Sequence, residues 1–196
     1  MRKVLLIVAA LSLILLAACA SVPQEQIDAA KAALDKAKAA GAEIYASDSL
    51  RAAVDKETAL NAELSNQEGS FFKSYDLTSK LAGEMQQLAA KAEADAISGK
   101  EKAKTEAEAA VTAADAAVTA AREALAKAPK GKGSAADLAA MTGDVDAAAK
   151  AIEEAKADVT AEKYLDAKTK ADSATAQAQK VTADVEAAIA MKKGKK

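Results

Sequence analysis

Between residues 164 and 188 the chain places Tyr164, Ala167, Ala171, Ala174, Ala178, Val181, Val185 and Ala188 at steps of three and four. That spacing is the period of one face of an α-helix, and here the face is built almost wholly from methyl-sized side chains. The same stepping recurs at Ile27, Ala30, Leu34, Ala37 and Gly41, and at Val111, Ala114, Val118, Ala121 and Leu125. It runs longer at Leu138, Met141, Val145, Ala148, Ile152, Ala155 and Val159. Strands need period-two alternation or β-branched clusters, and no run after residue 18 supplies either. The fold expected is all-α.

Alanine accounts for 57 of the 196 residues, against three tyrosines, two phenylalanines and no tryptophan. A buried leucine contributes about 1.5–3 kcal/mol and one buried methyl about 0.8 kcal/mol, so an alanine seam stabilises weakly per residue. It compensates by letting helix axes approach closely and by losing no side-chain entropy on ordering. The expected architecture is an elongated, alanine-rich antiparallel helical bundle, or a stack of helical hairpins, with coiled-coil-like seams. From residue 19 onward only 25 of 178 residues are Leu, Ile, Val or Phe, few enough for disorder to compete with folding. Near-balanced charge and an excess of the best helix former favour helix.

Punctuation predicts helices at about 24–40, 48–66, 71–97, 100–127, 135–158 and 161–191. Gly41 ends the first, Ser47 and Asp48 can cap the second, and Gly69 with Ser70 breaks the chain before Phe71. Ser98 and Gly99 break or bend a long helix. In "KAPKGKGSAAD", residues 127–137, Pro129, Gly131 and Gly133 stop one helix, and Ser134 with Asp137 forms a capping-box pattern for the next. Phe72, Tyr75, Ser79 and Ala82 match Tyr164, Ala167, Ala171 and Ala174 at an offset of 92, which suggests a duplication. The organisation expected is a signal peptide at 1–18, a linker at 19–23, a first helical repeat at 24–98, a helical region with a candidate second repeat at 99–191, and a basic tail at 192–196.

Arg2 and Lys3, followed by a nearly unbroken apolar stretch from Val4 to Ala18, have the pattern of a secretory signal. Fifteen residues of helix rise only about 22 Å, short of the roughly 30 Å hydrocarbon core, so an export signal fits better than a span. Its end, Leu16, Ala17, Ala18 and Cys19, resembles a bacterial lipobox. That resemblance implies signal-peptidase recognition at Leu16, Ala17 and Ala18, a diacylglyceryl group on the sulfur of Cys19, cleavage before it, and often acylation of the new N-terminus. Two or three acyl chains at about 0.8 kcal/mol per buried CH₂ make release negligible. Cys19 is the sole cysteine, so no disulfide staples the fold. Ala20 is not the aspartate of an inner-membrane retention signal. The location expected is therefore the outer membrane, lipid-anchored and facing the periplasm, with the inner membrane or a monoderm cell surface as alternatives.

"AALDKAKAAGAEIYASDSLRAAVDKETAL" and "GSFFKSYDLTSKLAGEMQQLAAKAEA", residues 32–60 and 69–94, resemble the bacterial envelope family called domain of unknown function 4398. The likeness is best over residues 27–95, and the second half resembles a degraded copy. Many members are lipoproteins, and the family has no assigned chemistry to carry over.

The residue types leave little room for chemistry. Without histidine, and with one cysteine read as lipidated, the usual zinc, haem, Ser-His and Cys-His arrangements have no residues to build on. "GKGS" at 131–134 lacks the spacing and the Lys-Ser order of a phosphate loop. No enzyme activity, cofactor or metal is expected. After Arg2 and Lys3 leave with the signal, 25 basic and 29 acidic side chains remain, so nucleic acid is not a favoured partner.

The scarce aromatics Tyr45, Phe71, Phe72 and Tyr75 form either a packing plug where the first three helices meet or an exposed patch that docks a partner. Lys196, in the terminal "MKKGKK", is either part of a plain basic tail or a point of covalent attachment to peptidoglycan, as in the murein lipoprotein it resembles. The function expected is a non-enzymatic structural or protein-interaction role in the cell envelope. Its partners are the membrane, through the lipid, and an envelope protein or peptidoglycan; the oligomeric state is left open. The alternative is a stress-protective polypeptide, because residues 99–121 resemble late embryogenesis abundant repeats.

Overall fold

Methyl groups recurring every third and fourth residue bury only if helices lie close along their length, and the computed structural model packs them in that way. It describes residues 21–129 and 135–193. In chain order the helices are α1 (Gln24–Ala39), α2 (Ala42–Tyr45), α3 (Ser47–Gly69), α4 (Asp76–Lys127), α5 (Ala135–Thr160) and α6 (Tyr164–Lys193). No strand occurs among the described residues. The protein is an all-α helical bundle.

Two compact units divide between Gly99 and Lys100. The division falls inside α4, which runs without a break where two helices were expected, and which begins at Asp76 rather than at residue 71. Ser98 and Gly99 do not break it because one helical glycine costs only about 1 kcal/mol against alanine. Good helix formers on both sides outweigh that.

In the first unit, α1, α3 and the first half of α4 enclose Ile27, Leu34, Leu60 and Met85, each almost wholly buried, with alanines filling the narrow gaps between them. Lys56 on α3 meets Glu84 on α4 at 2.6 Å, and Ser49 donates to Asp95. As numbers climb along α3 they fall along α4, so the two are antiparallel. Gly41 stops α1 as expected: its φ of +85° is the left-handed conformation glycine adopts without cost, and its amide donates to the Lys38 carbonyl at 2.9 Å. The one-turn helix α2 then carries the chain to Ala46, which takes the N-cap position of α3 without a side-chain cap. Ser47 and Asp48 therefore do not cap. Both are already helical, and Asp48 meets the positive end of the α3 dipole from within the first turn.

The second unit joins the rest of α4 to α5 and α6 around Val118, Val145, Ile152, Val181 and Val185. Lys156 lies 3.1 Å from Asp115, and Arg122 lies 3.8 Å from Asp146, so α4 and α5 are antiparallel. Lys170 pairs with Asp158 at 2.7 Å, and Gln177 reaches Asp144 at 3.5 Å, so α5 and α6 are antiparallel too. The carboxylate of Asp158 thus finds its cation on the facing helix, and the turn between α5 and α6 is closed by backbone bonds. There Glu162 has φ +59°, its amide donates to the Val159 carbonyl at 3.1 Å, and the Lys163 amide donates to the Asp158 carbonyl at 2.8 Å. This pair of bonds closes α5 with a Schellman motif.

The seam read from residues 164–188 is buried from Tyr164 through Val185, with Ala188 half-buried. The proposed equivalence of Phe72 with Tyr164 joins unlike environments, 85% and 6% exposed. Buried positions instead register at an offset of 89, Thr78, Ala82, Met85, Ala89, Ala92 and Ala96 matching Ala167, Ala171, Ala174, Ala178, Val181 and Val185. The difference of three residues exchanges the two alternating seam positions of a heptad, and near-identical alanines do not tell the two apart.

Candidate functional site

The turn from α3 to α4 holds the most unusual arrangement of side chains. α3 stops at Gly69, and Ser70 swings into an extended conformation while its hydroxyl donates to the Asn66 carbonyl at 2.9 Å. Gln67 clamps the turn: its amide nitrogen donates to Glu63 at 2.7 Å, and its oxygen accepts the Ser74 amide at 2.9 Å. Downstream, the Ser74 hydroxyl reaches Asp76 at 3.3 Å, and the Ser79 amide donates to the Tyr75 carbonyl at 2.8 Å. The turn thus meets much of its hydrogen-bonding demand from its own polar groups.

Its aromatic rings are turned outward. Phe71 is 93% exposed and Phe72 85%, and the two contact each other edge to face with centroids 5.0 Å apart. They are the only phenylalanines in the chain. Leu77, on the first turn of α4, is also exposed. Neither ring therefore plugs the meeting point of the first three helices, contrary to the packing alternative. Because α4 begins at Asp76, its inward stripe starts with Thr78 and continues through Ala82 and Met85, and the phenylalanines fall outside that stripe. Tyr75 is half-buried.

Tyr45 stands apart from the other three. It ends α2, half-buried, with its ring against Gly41, where an added Cβ would lie 3.2 Å from Cδ2. The 23 residues of α3, about 34 Å of helix rise, lie between it and the turn. The four candidate aromatics thus divide into a packing tyrosine at one end of α3 and an exposed pair, with Tyr75, at the other.

Two features carry little signal in the sequence. Thr78 is completely buried, and its hydroxyl has no hydrogen-bond partner. Only the phase of the α4 stripe marks it, and that phase is ambiguous until the helix start is known. Gly99 admits the Tyr45 carbonyl so closely that a Cβ there would lie 2.6 Å from its oxygen. A glycine inside an otherwise helical pattern was its available signal.

Charges cover the outer faces. Hydrogen bonding to Lys56 holds the Glu84 carboxyl below its ordinary value, and Lys91 followed by Ser49 does the same for Asp95. Lys100 lowers Glu162. Conversely Glu153 and Asp115 raise Lys156, and Asp158 raises Lys170. Apart from Asp158, whose side chain is only 16% exposed, these groups are open to water, so the pairs orient side chains and solvate the bundle more than they hold it together. Among the described residues no cluster of three or more His, Cys, Asp or Glu is placed to hold a metal ion. An open groove of about 520 Å³ runs between α4 and α6, lined chiefly by Ala113, Ala116, Ala117, Ala120 and Ala183.

Leu16, Ala17, Ala18 and Cys19, the Ser134 of the expected capping box, and Lys196 lie outside the described residues. The described chain enters at Ser21 and reaches α1 through Pro23, whose carbonyl accepts the amides of Gln26 and Ile27, both at 3.1 Å. No described helix is long and apolar enough to cross a membrane. No known protein family, curated protein or solved structure matches the chain.

Proposed function

We propose that this protein is a bacterial envelope lipoprotein, tethered through acylated Cys19, whose helical body has a structural or protein-interaction role and no catalytic one. The observation that carries the reading is the order of segments: a basic start, an apolar run ending in Leu16-Ala17-Ala18-Cys19, and a polar helix opening at Gln24. An anchor so few residues ahead of a packed bundle suits a module held at a bilayer surface. Two aromatic rings kept in water on a hydrogen-bonded turn support a surface that engages something. Packed cores in both units favour a folded module over a polypeptide that stays coil-like in water. Kinship with the domain of unknown function 4398 family is part of the proposal, as is an outer-membrane location facing the periplasm.

Metabolic labelling with palmitate, followed by mass analysis of the Cys19 peptide, tests the anchor. The wild-type protein is expected to carry label and to sediment with membranes, and the Cys19→Ser protein to carry none. An unlabelled wild-type protein with a free thiol at Cys19 ends this reading. Attachment through Lys196 is a separate matter, decided by whether muramidase digestion leaves a muropeptide on that lysine.

A further inference from the structure

Phe71 and Phe72 protrude from the end of the first unit at which the chain enters. Because α3 and α4 are antiparallel, Ser49 with Asp95 and Tyr45 with Gly99 mark one end of the unit, and the phenylalanine turn marks the other. α1 finishes beside the first end, where Gly41 and α2 link it to α3, and Ile27, Ala30, Leu34 and Ala37 are buried along its whole length. It must therefore run back toward the phenylalanine end. Its 16 residues rise about 24 Å and bring Pro23 level with the region of α3 around Asn61 to Leu64. The turn lies roughly 10 Å farther on. The four Cα–Cα steps from Cys19 to Pro23 span up to about 14 Å when extended, so covalent length alone lets the anchoring residue reach the level of the rings.

We propose that Phe71 and Phe72 form a wedge that inserts among the headgroups of the bilayer to which Cys19 is fixed, orienting the first unit on the membrane surface. The proposal rests on the lipoprotein reading above. Val22 and Leu77, both partly exposed at the same end, extend the apolar contact. Glu68 and Asp76 flank Lys73 in the turn, so attraction to acidic lipid does not drive insertion; the rings do. A two-ring wedge is too small to bind a membrane unaided. Tethering removes that requirement, since a group held within a short linker of the surface meets it at high effective concentration. The hydrogen bonds of Gln67 to Glu63 and Ser74 hold the turn in shape, so little ordering remains for insertion to impose.

The chain has no tryptophan, which makes the wedge directly measurable. Phe72→Trp in the lipidated protein, reconstituted in phosphatidylethanolamine and phosphatidylglycerol vesicles brominated near the headgroup, reports the turn. Ile44→Trp, at an exposed position on α2, reports the opposite end. The expected result is a blue-shifted emission from the Phe72→Trp protein, quenched about twofold or more by the brominated lipid, with the emission of the Ile44→Trp protein unaffected. Mass analysis of Cys19 on the same preparation separates the two ideas. An unlipidated Cys19 overturns the lipoprotein reading and the wedge with it. A lipidated Cys19 together with a water-exposed, unquenched indole in the Phe72→Trp protein overturns the wedge alone. A blue shift without lipid quenching means that a protein surface covers the rings, and it overturns the wedge as well.

Discussion

A Cβ built on Gly99 falls 2.6 Å from the carbonyl oxygen of Tyr45 and 3.1 Å from its Cβ. Near the middle of its 52 residues, α4 thus presses bare backbone against the last residue of α2. What reads as a helix breaker is a contact point. Glycine is there because α4 and the α1–α3 connection come too close for any side chain.

Gly99→Ala is expected to destabilise the protein by about 1–3 kcal/mol, although alanine is the better helix former. Gly83 lies in the same helix with nothing within 4 Å of an added Cβ, so Gly83→Ala should stabilise by about 0.5–1 kcal/mol. Urea unfolding of both variants checks the pair. Equal effects would mean that the Tyr45 contact is not there.

Thr78 buries a hydroxyl that has no partner. Thr78→Val keeps the shape and removes the unsatisfied group, so stability should rise by about 1 kcal/mol. Thr78→Ser keeps the hydroxyl and loses a methyl, and it should fall below wild type. If Val proves the worse of the two, the hydroxyl has a partner in solution, and calorimetric melting of both variants decides.

Glu162 occupies the left-handed position of the α5–α6 turn at φ +59°, a conformation that strains an L-residue and suits glycine. Its pairing with Lys100 at 2.6 Å is open to water and offsets that strain only weakly. Glu162→Gly should raise the melting temperature, and more so in high salt, where the pairing in the wild type is screened. A lowered melting temperature in both low and high salt would mean that the side chain matters more than the backbone.

Stability should be flat across neutral pH, because no histidine titrates there. Glu84, Asp95 and Glu162 have folded-state values below their ordinary 4.5, 3.8 and 4.5. Their stabilising share is therefore present above those values and is lost as acid protonates them in the folded state. Lys156 and Lys170 are raised above 10.5, so their share is present below that value and is lost as pH climbs past it. Melting temperatures should form a plateau from about pH 5.5 to 9 and fall on both sides. A step between about pH 6 and 7, where only a histidine would ordinarily titrate, would contradict this assignment.

The seams were legible because helical period and burial are the same physical fact. Tyr164, Ala167, Ala171 and their successors face inward at the spacing their positions announce. Gly41 was legible as a stop, since a left-handed turn favours glycine. The aromatics were not: hydrophobicity alone leaves Phe71 equally fit for a core or a surface, and the choice depends on where α4 begins. Asp76 starts that helix, Thr78 takes the buried place, and the rings stay in water.

Alanine content and three-four spacing act locally, so they alone specify that the chain is helical and which stripe of each long helix is apolar. Packing in three dimensions settles that Gly99 is a point of contact rather than a break, that Tyr45 packs while Phe71 and Phe72 do not, and at which offset the buried positions of the two halves register. Those outcomes depend on which backbone segments arrive beside one another, and methyl groups as alike as these do not encode that choice one residue at a time.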